Sequence, residues 1–132
     1  MLATDRKMVL VVDDEPKIVR MLKQLLESNG YEVQTESCGM AALDYAKEHQ
    51  PDLVILDLRL PDLTGFEVSE QLRQVYDHAT LPILMLTAMD RAEDRQHGLE
   101  SGADIYMSKP VGLGELLEQV QVLLAGAGPS LA

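Results

Sequence analysis

Basic residues are the scarce charge in this sequence: its 132 residues carry 11 Lys and Arg against 22 Asp and Glu, a formal net of −11. A surface with that balance repels phosphate backbones, so direct nucleic-acid binding by this chain is not expected. Aromatics are nearly missing, with one Phe, four Tyr and no Trp. The core must therefore come from Leu, Ile, Val, Met and Ala. A lone cysteine, Cys38, excludes an internal disulfide and suits a reducing compartment. No apolar run approaches the roughly 18 residues of a membrane span, and the stretch from Met1 to Lys7 lacks the apolar segment of a secretory signal. The expected location is the cytoplasm, with no membrane contact.

The length suits one domain with one apolar core. Met8 to Val12 is a continuous apolar run that stops at Asp13-Asp14, which reads as a strand buried on both faces. Pro16 then suits the first turn of a helix, where its missing N–H costs nothing, and Ile18, Leu22, Leu25 and Leu26 give that helix one apolar face. Gly30 supplies its stop. Tyr31, Val33 and Thr35 alternate with polar residues, the pattern of a half-exposed strand near a sheet edge. A short helix is predicted from Met40 to Glu48, closing before Pro51.

Leu53 to Leu56 is a second buried strand, ending at Asp57. Thr64 and Glu67 have the spacing of a capping box, with Val68, Leu72 and Val75 on the apolar face behind it. Pro82 to Leu86 ends at Thr87, and Asp90 with Glu93 repeats the capping spacing before a polar helix that reaches Leu99. That helix has few apolar residues to anchor it. Ile105 to Met107 forms a short strand leading to Ser108-Lys109-Pro110, and Leu113, Leu116, Leu117, Val120 and Leu123 mark the last helix. Strands and helices alternate five times, which predicts an α/β fold with a parallel sheet covered on both faces. The domain is expected over residues 1–125, with 126–132 a C-terminal tail or the start of a linker.

In such a sheet, ligands bind outside the carboxyl ends of the strands. Those ends carry Asp13, Asp14, Asp57, Thr87 and Lys109. Three carboxylates brought together repel, at about 4 kcal/mol per pair for 4 Å and an effective dielectric near 20. Either proton uptake or a bound cation must compensate, and a hard divalent ion prefers oxygen donors of this kind. An ionised aspartate beside such an ion can act as a nucleophile toward phosphorus, with Thr87 and Lys109 meeting phosphoryl oxygens. Each residue alone also has a plain explanation: Asp13 or Asp14 as a turn or cap, Thr87 as a strand terminator, Lys109 as a solvated charge. Spacing leaves both readings open.

The motifs Val11-Val12-Asp13-Asp14-Glu15-Pro16, Asp57-Leu58-Arg59-Leu60-Pro61-Asp62-Leu63-Thr64-Gly65, Leu86-Thr87-Ala88 and Tyr106-Met107-Ser108-Lys109-Pro110 closely resemble the response-regulator receiver family of two-component signalling. Each is weak alone; four in order, from about Lys7 to Leu124, are specific. The resemblance implies a single doubly wound, flavodoxin-like sheet of five strands in the order 2-1-3-4-5, with five helices; that order is the one known for a chemotaxis member of the family. It implies that Asp57 is the phosphoacceptor, with a sensor histidine kinase or histidine phosphotransfer protein as donor. It further implies Mg²⁺ (or Mn²⁺) held by Asp14 and Asp57, by Asp13 largely through water, and by the backbone carbonyl of Arg59. Thr87 and Tyr106 are similar to the family's switch pair, Lys109 to its phosphate-binding lysine, and Pro110 is expected after a cis peptide bond. Readout is expected on the fourth helix, fifth strand and fifth helix, where partners or a second receiver copy (a homodimer) would dock.

Two departures stand out. Val111 and Gly112 follow Lys109-Pro110 where the family often has an aromatic and an acidic residue, and Arg59 lies beside the path of attacking water, where it is expected to tune phosphoryl lifetime. Two alternatives belong to other classes: a metal-dependent phosphatase working through an aspartyl phosphate, and an unphosphorylated pseudo-receiver used as a binding module. The first would release phosphate catalytically rather than hold one per chain. The second usually loses the acceptor or the lysine, and this chain keeps both.

Overall fold

The computed structural model describes residues 6–126. Strands and helices alternate as β1 (Met8–Val12), α1 (Pro16–Ser28), β2 (Glu32–Glu36), α2 (Gly39–His49), β3 (Leu53–Leu56), α3 (Gly65–Arg73), β4 (Ile83–Thr87), α4 (Ala92–Glu100), β5 (Ile105–Ser108) and α5 (Leu113–Gly126). All strand pairs are parallel, in the order β2-β1-β3-β4-β5. This is the doubly wound order the resemblance implies.

The apolar runs sort by alternate residues onto two cores, as a pleated strand requires. Val9, Val11, Leu53, Ile55, Leu84 and Leu86 face α1 and α5, packing on Leu22, Leu26, Leu116 and Val120. Leu10, Val12, Val54, Leu56, Ile83 and Met85 face the other way, against Ala42, Leu43, Val68 and Leu72 of α2 and α3. Continuous hydrophobicity in β1, β3 and β4 is thus the signature of strands covered on both sides. β2, at the sheet edge, is only partly buried from Val33 to Glu36 and shows no clean alternation.

Helix ends follow local chemistry. Gly30, at φ +94°, closes α1 with its N–H on Glu27 and that of Tyr31 on Leu26, the paired bonds of a Schellman motif. Thr64 and Glu67 form the reciprocal capping box of α3.

Four expectations need correction. Val75 is 58% exposed, because α3 ends at Arg73 and its apolar periodicity has no helix left to occupy. Leu113, the first residue of α5, is also exposed, and the buried stripe is Leu116, Val120 and Leu124. The start of α4 lies one residue later than the Asp90–Glu93 spacing predicts: Arg91 is the N-cap residue and its N–H donates to the Asp94 carboxylate at 3.3 Å. Finally, α5 runs through Gly126, the first residue of the expected tail, and residues 127–132 lie outside the described residues.

Helix α4 is seated unlike the others. Its buried residues are Asp94 and Gly98, with no large apolar side chain among them. A Cβ at Gly98 would stand 2.7 Å from Tyr106 Cδ2 and 2.9 Å from Met85 Sδ, so only glycine lets the helix backbone settle onto β4 and β5. Arg95 adds a guanidinium 5.1 Å from the Tyr106 ring centroid and a 3.0 Å hydrogen bond to the Tyr106 carbonyl.

Candidate functional site

The sheet order puts β1 beside β3, with the chain leaving them in opposite directions, and a crevice opens between their carboxyl ends. Val12 pairs with Leu56, so the next residues, Asp13 and Asp57, arrive side by side. The Asp57 N–H donates to the Val12 carbonyl at 3.0 Å, which fixes that register at the mouth. On the other flank Thr87 pairs with Ser108, and Lys109 follows, its N–H on the Thr87 carbonyl at 2.8 Å. Strand pairing alone therefore draws five ionisable or polar residues from four loops to one edge.

Carboxylate oxygens of Asp13, Asp14 and Asp57 lie within 4.8 Å of one another. Asp13 and Asp57 are buried, at 3% and 5% exposure, whereas Asp14 is exposed. Asp13 has both oxygens engaged: Oδ1 accepts from the Glu15 N–H at 3.0 Å, and Oδ2 from Lys109 Nζ at 2.9 Å. Asp57 Oδ1 accepts from the N–H of Leu58 at 2.7 Å and more weakly from that of Arg59 at 3.4 Å. Its Oδ2 faces Lys109 at 3.2 Å. Glu15 is a third anionic partner of Lys109, at 2.8 Å.

Burial pushes the Asp13 carboxyl above its usual range; the Lys109 bond and the Glu15 N–H pull back, and nearby Asp57 adds to the rise. For Lys109, burial works against its charge, but bonds to Glu15 and Asp13 and the field of Asp57 prevail and hold the ammonium well above its ordinary value. Lys109 thus faces three carboxylates, and exposed Asp14 stands beside two of them. The donor set, hard oxygens with excess negative charge, fits a small divalent cation better than any soft metal.

The segment after Asp57 is shaped by two close constraints. A Cβ at Gly65 would lie 2.4 Å from the Asp57 carbonyl oxygen and 2.8 Å from Leu58 Cα, so glycine is required where α3 starts against Asp57. Asp62 accepts from the N–H groups of Gly39 at 2.7 Å, Met40 at 2.9 Å and Leu63 at 2.8 Å. It caps α2 from another loop, a task the N-cap residue Cys38 leaves undone, and these bonds hold its carboxyl below the usual range.

Thr87 is fully buried, and its Oγ1 accepts from the Met89 N–H at 3.3 Å. Tyr106, at 5% exposure, donates its hydroxyl to the Met89 carbonyl at 2.5 Å. Burial, assisted by the charge of Asp94, pushes its phenol up to about 12. Arg59 is exposed on the same recess as Asp14, Asp57 and Lys109. The Lys109–Pro110 peptide is cis. Glu15 and Asp62 lie inside the sequence motifs with no task evident from the motif alone, and no local pattern marks Met89, Arg95 or Gly98.

A family model described as the response regulator receiver domain matches residues 9–121. The chain is 49% identical over 118 residues to the alkaline phosphatase synthesis transcriptional regulatory protein PhoP of Bacillus subtilis, covering 89% of this chain and 48% of that protein. It is 44% identical over 121 residues to the response regulator MprA of a Mycobacterium species, covering 92% of this chain and 52% of that protein. The chain therefore spans about half the length of these curated relatives. Among solved structures, a CheY-like response regulator receiver domain protein from Methanospirillum hungatei superposes with a TM-score of 0.88 at 31% identity, over 93% of this chain and 97% of that one. The receiver domain of RstA from Klebsiella pneumoniae, activated by BeF3, gives 0.84 at 28% identity, over 89% and 98%. With its crevice, its acidic cluster and its lysine, this chain belongs to the response regulator receiver domain family.

Proposed function

We propose that Asp57 accepts a phosphoryl group from a phosphohistidine on a sensor histidine kinase or histidine phosphotransfer protein, and that the resulting acyl phosphate switches the face of α4, β5 and α5. The carrying observation is that Lys109 Nζ bridges Asp13 and Asp57, residues 96 and 52 positions away in sequence. Asp57 Oδ1 is occupied by backbone N–H groups, which leaves Oδ2 as the attacking oxygen. That oxygen forms the new bond to phosphorus as the P–N bond breaks; the imidazole departs with the electron pair and is protonated from solvent. Lys109 neutralises charge on a phosphoryl oxygen, and the Thr87 hydroxyl hydrogen-bonds another.

Mg²⁺ or Mn²⁺ would be held by Asp14 and Asp57, by Asp13 largely through water, and by the Arg59 carbonyl. When bound, such an ion offsets the carboxylate charge and polarises the phosphoryl group. Thr87 and Tyr106 form the switch pair, sharing the Met89 peptide. The domain occupies residues 1–125 and a tail or linker begins near Gly126; it works in the cytoplasm, without direct contact to nucleic acid or membrane. A homodimer would use the switched face. The chain is a signalling domain rather than an enzyme acting on external substrates.

Acetyl phosphate with Mg²⁺ tests this reading. The wild-type chain should gain one phosphoryl group, and Asp57→Asn none, by intact-mass measurement. Full labelling of Asp57→Asn would sink the assignment, and continuous phosphate release without a labelled chain would favour the phosphatase alternative.

A further inference from the structure

Lys109 divides its ammonium among three carboxylates, and the nearest of them, Glu15, lies outside the acidic cluster. Glu15 is the N-cap residue of α1, yet its side chain caps nothing there. It reaches instead across the crevice to a lysine 94 positions away. Its side chain is 59% exposed, against 3% for Asp13 and 7% for Asp57. Glu15 also stands where two recesses meet: one over Asp57 and Arg59, the other an apolar groove along Ile18, Met21 and Val111.

We propose that Glu15 is a positioning residue that competes with the phosphoryl group for Lys109, and so restrains how readily Asp57 is charged. The inference rests on the phosphoacceptor reading of Asp57 and adds a regulator to it. An ammonium has three N–H donors, and here each has a carboxylate partner. A phosphoryl oxygen gains Lys109 only by displacing one of them. The Asp13 bond is desolvated, and breaking it leaves a buried charge unpaired. The Glu15 pair is largely solvated, so it contributes little stability and yields at least cost. Asp13 keeps Lys109 in place when Glu15 lets go. What remains is one negative charge at the mouth that withholds the lysine from its dianionic target.

Glu15→Gln keeps the size of the side chain and removes the competition. In Mg²⁺ it should be labelled by acetyl phosphate about three- to tenfold faster than wild type, the worth of one charge removed a few ångströms away in partly solvated surroundings. Beryllofluoride, followed by fluorine NMR, should bind tighter by a similar factor, with the thermal midpoint unchanged. In a Lys109→Gln background the same substitution should change neither quantity, which a merely structural or long-range charge effect would not reproduce. Equal rates and affinities for Glu15→Gln and wild type overturn the proposal, as does a gain that persists undiminished without Lys109. If wild type itself takes no label while remaining folded, the phosphoacceptor reading fails and the inference goes with it.

Discussion

Tyr106 and Thr87 meet on one peptide: the phenol donates to the carbonyl of Met89 at 2.5 Å, and the threonine oxygen accepts from the N–H of the same residue at 3.3 Å. Two side chains from neighbouring strands therefore grip both polar groups of a single loop residue between β4 and α4. Moving Thr87 toward a phosphoryl group releases one grip and leaves the other. The Met89 loop thus ties the ends of β4 and β5 to the start of α4.

Tyr106→Phe keeps the ring under Arg95 and removes only the hydroxyl. Equilibrium urea unfolding should show a loss of about 1 kcal/mol, the net worth of one hydrogen bond. Because the folded-state phenol lies near 12 against an ordinary 10.0, its stabilisation is complete below pH 10 and is lost as pH rises toward 12. The gap between wild type and Tyr106→Phe should therefore be flat below pH 10 and shrink above it. A gap constant through pH 12 would contradict the burial argument.

Gly98→Ala inserts a methyl group where Tyr106 Cδ2 and Met85 Sδ stand under 3 Å away. Overpacking of this kind costs about 1–3 kcal/mol. Amide exchange in α4 should accelerate more than exchange in α1 or α5, since the clash lifts that helix selectively. Unchanged protection in α4 would show that the seat is looser than its geometry.

Asp13→Asn removes one carboxylate from the crevice. A carboxyl held above its usual range stabilises the fold fully below the unfolded value of about 3.9, and that contribution is lost as pH rises through the folded value. At neutral pH without divalent ions, Asp13→Asn should be more resistant to urea than wild type. Adding Mg²⁺ at a hundredfold its dissociation constant should stabilise wild type by about 2.7 kcal/mol by mass action. The substitution should weaken Mg²⁺ binding, so the order of stabilities is expected to invert with the metal.

Asp62 bears the opposite sign. Its carboxyl is held low by the N–H groups of Met40, Gly39 and Leu63, so its contribution exists above about pH 3.9 and disappears as pH falls through the depressed folded value. Asp62→Ala should loosen the first turn of α2, seen as faster exchange at Gly39 and Met40. It should also flatten the acid limb of the stability profile.

Much of this architecture is readable without coordinates because β1, β3 and β4 are short, unbroken apolar runs that stop at a polar residue. Such runs have few other uses, and their ends announce the crevice. Strand order is different: nothing in the spacing of Asp13 and Asp57 states that β1 lies beside β3, and only the motif resemblance implied it. The start of α4 shows why local patterns fail. Asp90–Glu93 and Arg91–Asp94 both offer an acidic residue at the third helical position, and what selects the second is that Asp94 packs inward, a tertiary fact. Glu15 and Lys109 are 94 residues apart, beyond any local signal. The same holds for Arg73, whose guanidinium joins Leu81, Gly102 and Asp104 at the opposite end of the sheet.

A helix that rests on a bare backbone and a stacked cation, rather than on interlocked leucines, is inexpensive to relocate. Because α4 itself buries only Asp94 and Gly98, the switch proposed above would have little aliphatic interlock of that helix to undo when a phosphoryl group is gained at one end of the crevice. Seating on Leu116, Val120 and Leu124, as in α5, would resist the same push more strongly.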